Sequence, residues 1–166
     1  MRLIRRTTTI VFAVSLSFLL TGTLSRATAQ NREYPTVSYC DLMRSQERYR
    51  GKVIRVSAIY RYGFEWSELY CLECVSEART WVDLDESFVS STKANLRKKI
   101  GPHGVTGRTV RVTMVGRFDG GGGYGHMGAY RFRLMVNRLE DAKVIADDSS
   151  LSSALPKKVL SRIHCP

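Results

Sequence analysis

The chain has 166 residues, 43% of them hydrophobic, and a formal charge of +11. That length suits one compact domain and excludes a chain of several, while the apolar content excludes a wholly disordered protein. The positive balance favours anionic partners such as envelope polymers, lipid headgroups, nucleic acid or acidic proteins, set against the plainer reading that it only aids solubility.

The N-terminus carries Arg2, Arg5 and Arg6, then an uncharged apolar stretch over residues 7–20, then Ala27-Thr28-Ala29. That order is the signature of a secretory signal peptide. The apolar run falls short of the ~20 residues of a transmembrane helix, although an uncleaved anchor is the competing reading. Cleavage after Ala29 starts the mature chain at Gln30. It removes Arg2, Arg5, Arg6 and Arg26 with no acid, lowering the formal charge from +11 to +7. The expected organisation is a signal peptide over 1–29, a folded domain over 30–146 and a polar, serine-rich tail over 147–166. The destination is the periplasm or the medium, with no membrane span after cleavage.

Residues 31–36 form a polar lead-in kept extended by Pro35. Residues 38–48 read as a short helix capped by Ser38, with Leu42 and Met43 on its apolar side. Residues 52–62 are a strand: Ile54, Val56, Ala58, Tyr60 and Tyr62 fall on one face, Arg55, Ser57 and Arg61 on the other. Residues 66–72 and 80–84 are the next two strands. Residues 86–100 have helical character, with Ser87 as cap, Leu96 and Ile100 four apart, and Lys93, Arg97, Lys98 and Lys99 toward the favoured C-terminal end. Residues 101–104 stop it. The strand over 108–118 turns Val110, Val112, Met114, Gly116 and Phe118 one way and Arg111, Thr113, Val115 and Arg117 the other. A glycine-rich loop leads from Gly120 to Gly128. The strand over 130–139 has Tyr130, Phe132, Leu134 and Val136 inward and Arg131, Arg133, Met135 and Asn137 outward, and residues 140–145 extend it after a bend. Five strands with a helix between the third and fourth predict a mainly β, OB-fold-like barrel with a short N-terminal helix in front.

All four cysteines, Cys40, Cys71, Cys74 and Cys165, follow the proposed cleavage site. In an oxidising compartment they are expected to form disulfides, with Cys40–Cys74 the favoured pair and Cys165 either joined to Cys71 or free. Cys71-Leu72-Glu73-Cys74 also has the spacing of a redox pair or half a zinc site. No βαβ unit surrounds it, and Cys40 and Cys165 are isolated in sequence, so a metal site is not expected.

Several segments carry a resemblance: Tyr39-Cys40-Asp41-Leu42, Tyr49-Arg50-Gly51-Lys52-Val53-Ile54-Arg55-Val56, Leu69-Tyr70-Cys71, Trp81-Val82, Val115-Gly116-Arg117-Phe118 and Gly125-His126-Met127-Gly128-Ala129-Tyr130-Arg131. Together they resemble small exported bacterial proteins with OB-fold-like domains, mostly of unknown function. The resemblance implies a fold and an exported location and carries over no catalytic residues. The mature chain lacks the acidic balance of other exported OB-fold proteins, which counts against a cation-binding role.

No catalytic constellation and no cofactor motif stands out. His126 and His103 each sit in a glycine turn without a carboxylate or thiol at fixed spacing, so a histidine fixing its own loop is the plainer reading. The glycine loop lacks the strand-to-helix setting of a phosphate-binding fingerprint. The suggestive feature is a basic outward face of Arg55, Arg61, Arg111, Arg117, Arg131 and Arg133, with Tyr124 and His126 beside it. Arginines with aromatics suit a polyanion, and export disfavours nucleic acid. The expected function is a non-enzymatic binding module for an anionic ligand or another exported envelope protein. The alternatives are a thiol–disulfide protein using Cys71 and Cys74, or a structural component of the envelope.

Overall fold

A computed structural model of the chain describes residues 33–63, 65–71, 73–74, 79–100 and 108–147. They belong to one unit that begins at Glu33. The leader expected over 1–29, His103, Cys165 and the tail from residue 148 lie outside the described residues. The elements are β1 (Thr36–Ser38), α1 (Tyr39–Arg44), α2 (Gln46–Tyr49), β2 (Val53–Tyr62), β3 (Ser67–Tyr70), β4 (Thr80–Leu84), α3 (Phe88–Ser91), α4 (Ala94–Ile100), β5 (Arg108–Tyr124), a 3-10 turn (His126–Gly128) and β6 (Tyr130–Asp147). Among the described residues no helix is long and apolar enough to cross a membrane.

The molecule is mainly β, and its six-stranded sheet closes into a ring. β2 pairs antiparallel with β3, and β3 with β4. β4 lies parallel to β6, β6 antiparallel to β5, and β5 returns antiparallel onto β2. β1 lies parallel on the first half of β2. Period-two alternation explains the interior: Ile54, Val56, Ala58 and Tyr60 of β2 meet Val110, Val112, Met114 and Phe118 of β5 and Leu134 and Val136 of β6 in one buried cluster. Leu69 and Val82 join from β3 and β4, and Phe88, Leu96 and Ile100 from α3 and α4. Gly116 marks the tightest point of the wall, because a Cβ there would stand 2.4 Å from the carbonyl oxygen of Met135.

The helices between β4 and β5 cover the edge of β6 beyond its pairing with β4. Asp85 N–H donates to the Val136 carbonyl at 2.8 Å. Lys99 Nζ donates to the Ala142 carbonyl at 2.7 Å, Ser91 Oγ donates to the Asn137 carbonyl, and Leu139 N–H donates to Thr92 Oγ1 at 3.0 Å. Backbone groups that would otherwise template another strand are thereby satisfied.

Several expectations change. β1 adds a sixth strand where the lead-in over 31–36 meets the helix expected from residue 38. The single helix over 38–48 divides at Ser45, whose ψ of 40° leaves the helical region, although Ser38 does cap α1 by accepting from Asp41 N–H at 3.1 Å. The helix over 86–100 divides at Thr92, which is extended at φ −110°, ψ 130°. Its buried hydroxyl is committed to β6, which a continuous helix would not allow. Ser87 makes no side-chain cap; Asp85 accepts from both the N–H and the hydroxyl of Ser87 instead. The glycine loop is largely strand, since β5 runs to Tyr124 and a register shift between Gly120 and Tyr124 absorbs the glycines. β6 runs through residue 145 and on to Asp147, with bulges rather than a break.

Candidate binding face and cysteine cluster

One row of side chains crosses the ring on the side away from the core. The register aligns Arg61 with Glu68, Glu68 with Trp81, Trp81 with Arg133, and Arg133 with Asp119. Five strands therefore place arginine, acid and indole side by side.

Glu68 is the centre of this row and is only 1% exposed. Its Oε1 accepts from Nε and Nη2 of Arg61. Its Oε2 accepts from the Tyr130 hydroxyl at 2.7 Å and lies 3.6 Å from Arg79 Nη1. A buried carboxylate is tolerable only with such partners. Burial, then the hydrogen bond to Glu68, push the Tyr130 hydroxyl well above its ordinary value, so it stays protonated and donates.

Aromatic rings flank the arginines of this row. The Arg61 guanidinium lies 4.4 Å from the Tyr70 ring and 5.3 Å from the Trp66 ring. Arg79 lies 5.8 Å from Tyr130, and Arg133 lies 4.8 Å from Tyr124. Trp81 packs against Tyr130 at 5.2 Å and donates its indole N–H to Asp83 at 2.7 Å. Gly125 closes over this pair at φ 70°; a Cβ there would stand 2.5 Å from the Trp81 ring, so only glycine lets the hairpin fold back onto the indole. Arg133 is held by Asp119 at 2.9 Å and Asp83 at 3.6 Å. The Tyr70 hydroxyl is buried without a hydrogen-bond partner in this arrangement, and burial raises its pKa.

Of the residues singled out from the sequence, Arg61, Arg133 and Tyr124 meet in this cluster. Arg117 is half-exposed on β5 with Asp119 at 3.2 Å. Arg131 is exposed on β6, its guanidinium 5.9 Å from the Phe132 ring. Arg111 lies between Ile59 and Lys143 in register. His126 is exposed on the turn that follows β5, where its backbone carbonyl accepts from Ala129 N–H at 3.2 Å. Arg55 belongs to a second ion-pair cluster: it donates to Glu140 at 2.7 and 3.2 Å, and Arg138 donates to the same carboxylate at 2.7 Å. Those hydrogen bonds, that from Arg55 first, hold the Glu140 carboxyl below its ordinary value. Glu68, Arg79, Trp66, Tyr70 and Trp81 escaped the reading of the sequence. The available signal was a lone acid between Ser67 and Leu69 in a strand that follows Trp66 directly.

The cysteines form a separate cluster. Tyr39 fixes it: fully buried, it donates its hydroxyl to the Leu69 carbonyl at 2.9 Å and lies 3.0 Å from Thr80 Oγ1, which locks the start of α1 onto β3 and β4. The next residue, Cys40, is thereby delivered to the segment after β3. Cys40 and Cys74 are disulfide-bonded with Cα atoms 4.9 Å apart, across 34 residues of sequence. Cys71 Sγ lies 3.9 Å from Cys40 Sγ, and the three sulfurs lie within 4.8 Å of one another. Cys71 is itself disulfide-bonded, so no described cysteine is a free thiol. Compared with protein-family models, curated proteins and solved structures, the chain has no match in any of the three.

Proposed function

We propose that this chain is an exported, non-enzymatic, OB-fold-like module that binds an anionic ligand or an anionic envelope partner across the β3–β4–β6 face and the glycine-rich hairpin. The ring order supports the OB-fold-like reading: β2-β3-β4-β6-β5 returns to β2, β4 and β6 are parallel, and the helices fall between β4 and β5. On that reading β1 and α1 are additions to a five-stranded barrel, and the resemblance to small exported bacterial proteins of this kind belongs to the same proposal.

The observation that carries the binding reading is the set of guanidinium–aromatic stacks along one strand row. Arg61, Arg79 and Arg133 each rest against a ring, and Arg61 and Arg133 are oriented by carboxylates. Such guanidiniums lose little rotamer freedom on binding and keep N–H donors for an oxyanion, while Arg117 and Arg131 add exposed charge nearby. The test is binding of the full-length secreted protein to phosphatidylglycerol vesicles and to an anionic envelope extract, at low and high salt. Serine at Arg117, Arg131 and Arg133 together is expected to lower affinity at least tenfold and flatten the salt dependence. Unchanged binding to both preparations overturns the reading.

A second reading, thiol–disulfide exchange through Cys71 and Cys74, is favoured by the 3.9 Å approach of Cys71 Sγ to Cys40 Sγ. It predicts a reactive, low-pKa thiol once the bridges open. Thiol titration of the mildly reduced protein across pH separates the two readings, and a thiol of ordinary reactivity eliminates exchange.

A further inference from the structure

We infer that the cysteine cluster is a reduction-gated metal site: when the disulfides open, Cys40, Cys71 and Cys74 converge as thiolate ligands for one thiophilic divalent ion, Zn2+ by chemistry. In sequence, Cys71 and Cys74 are only half of such a site, because Cys40 stands 31 residues before Cys71. The fold supplies the missing half. Tyr39, bonded to the Leu69 carbonyl of β3 and next to the Thr80 hydroxyl of β4, brings Cys40 to the cluster through contacts to oxygen that do not depend on the state of the thiols.

The distances fit the ion. A tetrahedral centre with Zn–S bonds of about 2.3 Å sets its sulfurs roughly 3.8 Å apart. Cys40 Sγ and Cys71 Sγ are already 3.9 Å apart, and all three sulfurs lie within 4.8 Å. The Cys40–Cys74 pair must separate and the bond that Cys71 makes must open, and reduction permits both. Cys71 is buried while Cys40 and Cys74 are partly exposed, so the cluster has an apolar floor and a way in for the ion. The fourth position falls to a further donor, either the thiol that reduction frees from the bond to Cys71 or water, as three-ligand zinc sites allow.

The chemistry balances with a dithiol reductant. Each disulfide takes up two electrons and two protons and yields two thiols, while the dithiol becomes a disulfide. Binding then releases one proton from each ligating thiol. In an oxidising compartment the cluster is a covalent staple, and under reducing conditions the ion takes over the same cross-link between α1 and the end of β3. This inference is independent of the anionic-ligand reading, because none of the stacked arginines takes part.

The test uses the full-length secreted protein, reduced with excess dithiol, desalted without oxygen, and titrated with Co2+ and then Zn2+. One equivalent of Co2+ should give sulfur-to-cobalt charge-transfer absorption with tetrahedral visible bands, and Zn2+ should abolish both. Cys71→Ser and Cys40→Ser should each lower the apparent affinity at least tenfold. If reduction loosens the fold, Co2+ should restore the near-ultraviolet circular dichroism of the oxidised protein. A reduced chain that keeps its native spectrum without the thiolate bands overturns the inference. So does a loosened chain that Co2+ fails to restore, or a full-strength cobalt spectrum in Cys40→Ser.

Discussion

Glu68 and Glu140 are each gripped by two arginines, yet their settings differ. Glu68 is 1% exposed, under Tyr130 and an aromatic-flanked Arg61, whereas the Glu140 side chain is 26% exposed beside Arg55 and Arg138. The same ionic chemistry therefore plays two roles. At Glu140 water competes for every partner, so the link is a modest clamp between β2 and β6. At Glu68 water is gone, so the carboxylate depends on its partners and they on it. Its covering groups are also the rings and guanidiniums of the candidate binding face, which ties the order of that face to one buried acid.

The largest expected effect is at the buried acid. Glu68→Ala should cost about 3 kcal/mol, because it strands the Tyr130 hydroxyl and leaves the partly buried Arg61 without its carboxylate. Urea denaturation measures this, and a loss below about 1 kcal/mol would erase the contrast with Glu140. Next, Tyr130→Phe removes one donor to Glu68 and leaves the ring against Trp81, with an expected loss of about 1–2 kcal/mol and a changed tryptophan emission. Smaller still, Glu140→Gln should cost at most about 1 kcal/mol, and high salt should shrink that difference, whereas the Glu68→Ala cost should barely respond to salt.

The smallest effect is a pH dependence. The Glu140 carboxyl is depressed in the folded state by Arg55 and Arg138, so its contribution is fully present above its ordinary value of 4.5 and is lost as pH falls through the depressed value. The stability gap between the native protein and Glu140→Gln should therefore narrow below about pH 4.5. A gap that is constant down to the acid transition would mean that the two arginines do not act through the charge.

How much was legible follows the strength of local pattern. The alternation in β2, β5 and β6 was readable because these strands are long and bury one face, whereas spacing brought Cys40 only to the segment of Cys71 and Cys74, and the fold joins it to Cys74. The two broken helices were not readable: Thr92 is extended because its hydroxyl serves Leu139, 47 residues away. β1 has three residues and owes its strand character to β2. The candidate site was legible in part. Arg61 and Arg133 declared themselves by facing away from the apolar side, while Glu68 resembled an ordinary solvated acid because what buries it, Tyr130, arrives from a strand 62 residues on.

By itself the sequence determined the β-rich composition, the inward faces of the long strands and the balance of charge, since each depends on residues a few positions apart. Tertiary structure decided the closure of the sheet into a ring, which acid is buried, and which sulfurs meet. Those outcomes rest on contacts between distant segments, whose energy appears only once the strands are in register and water has been expelled between them.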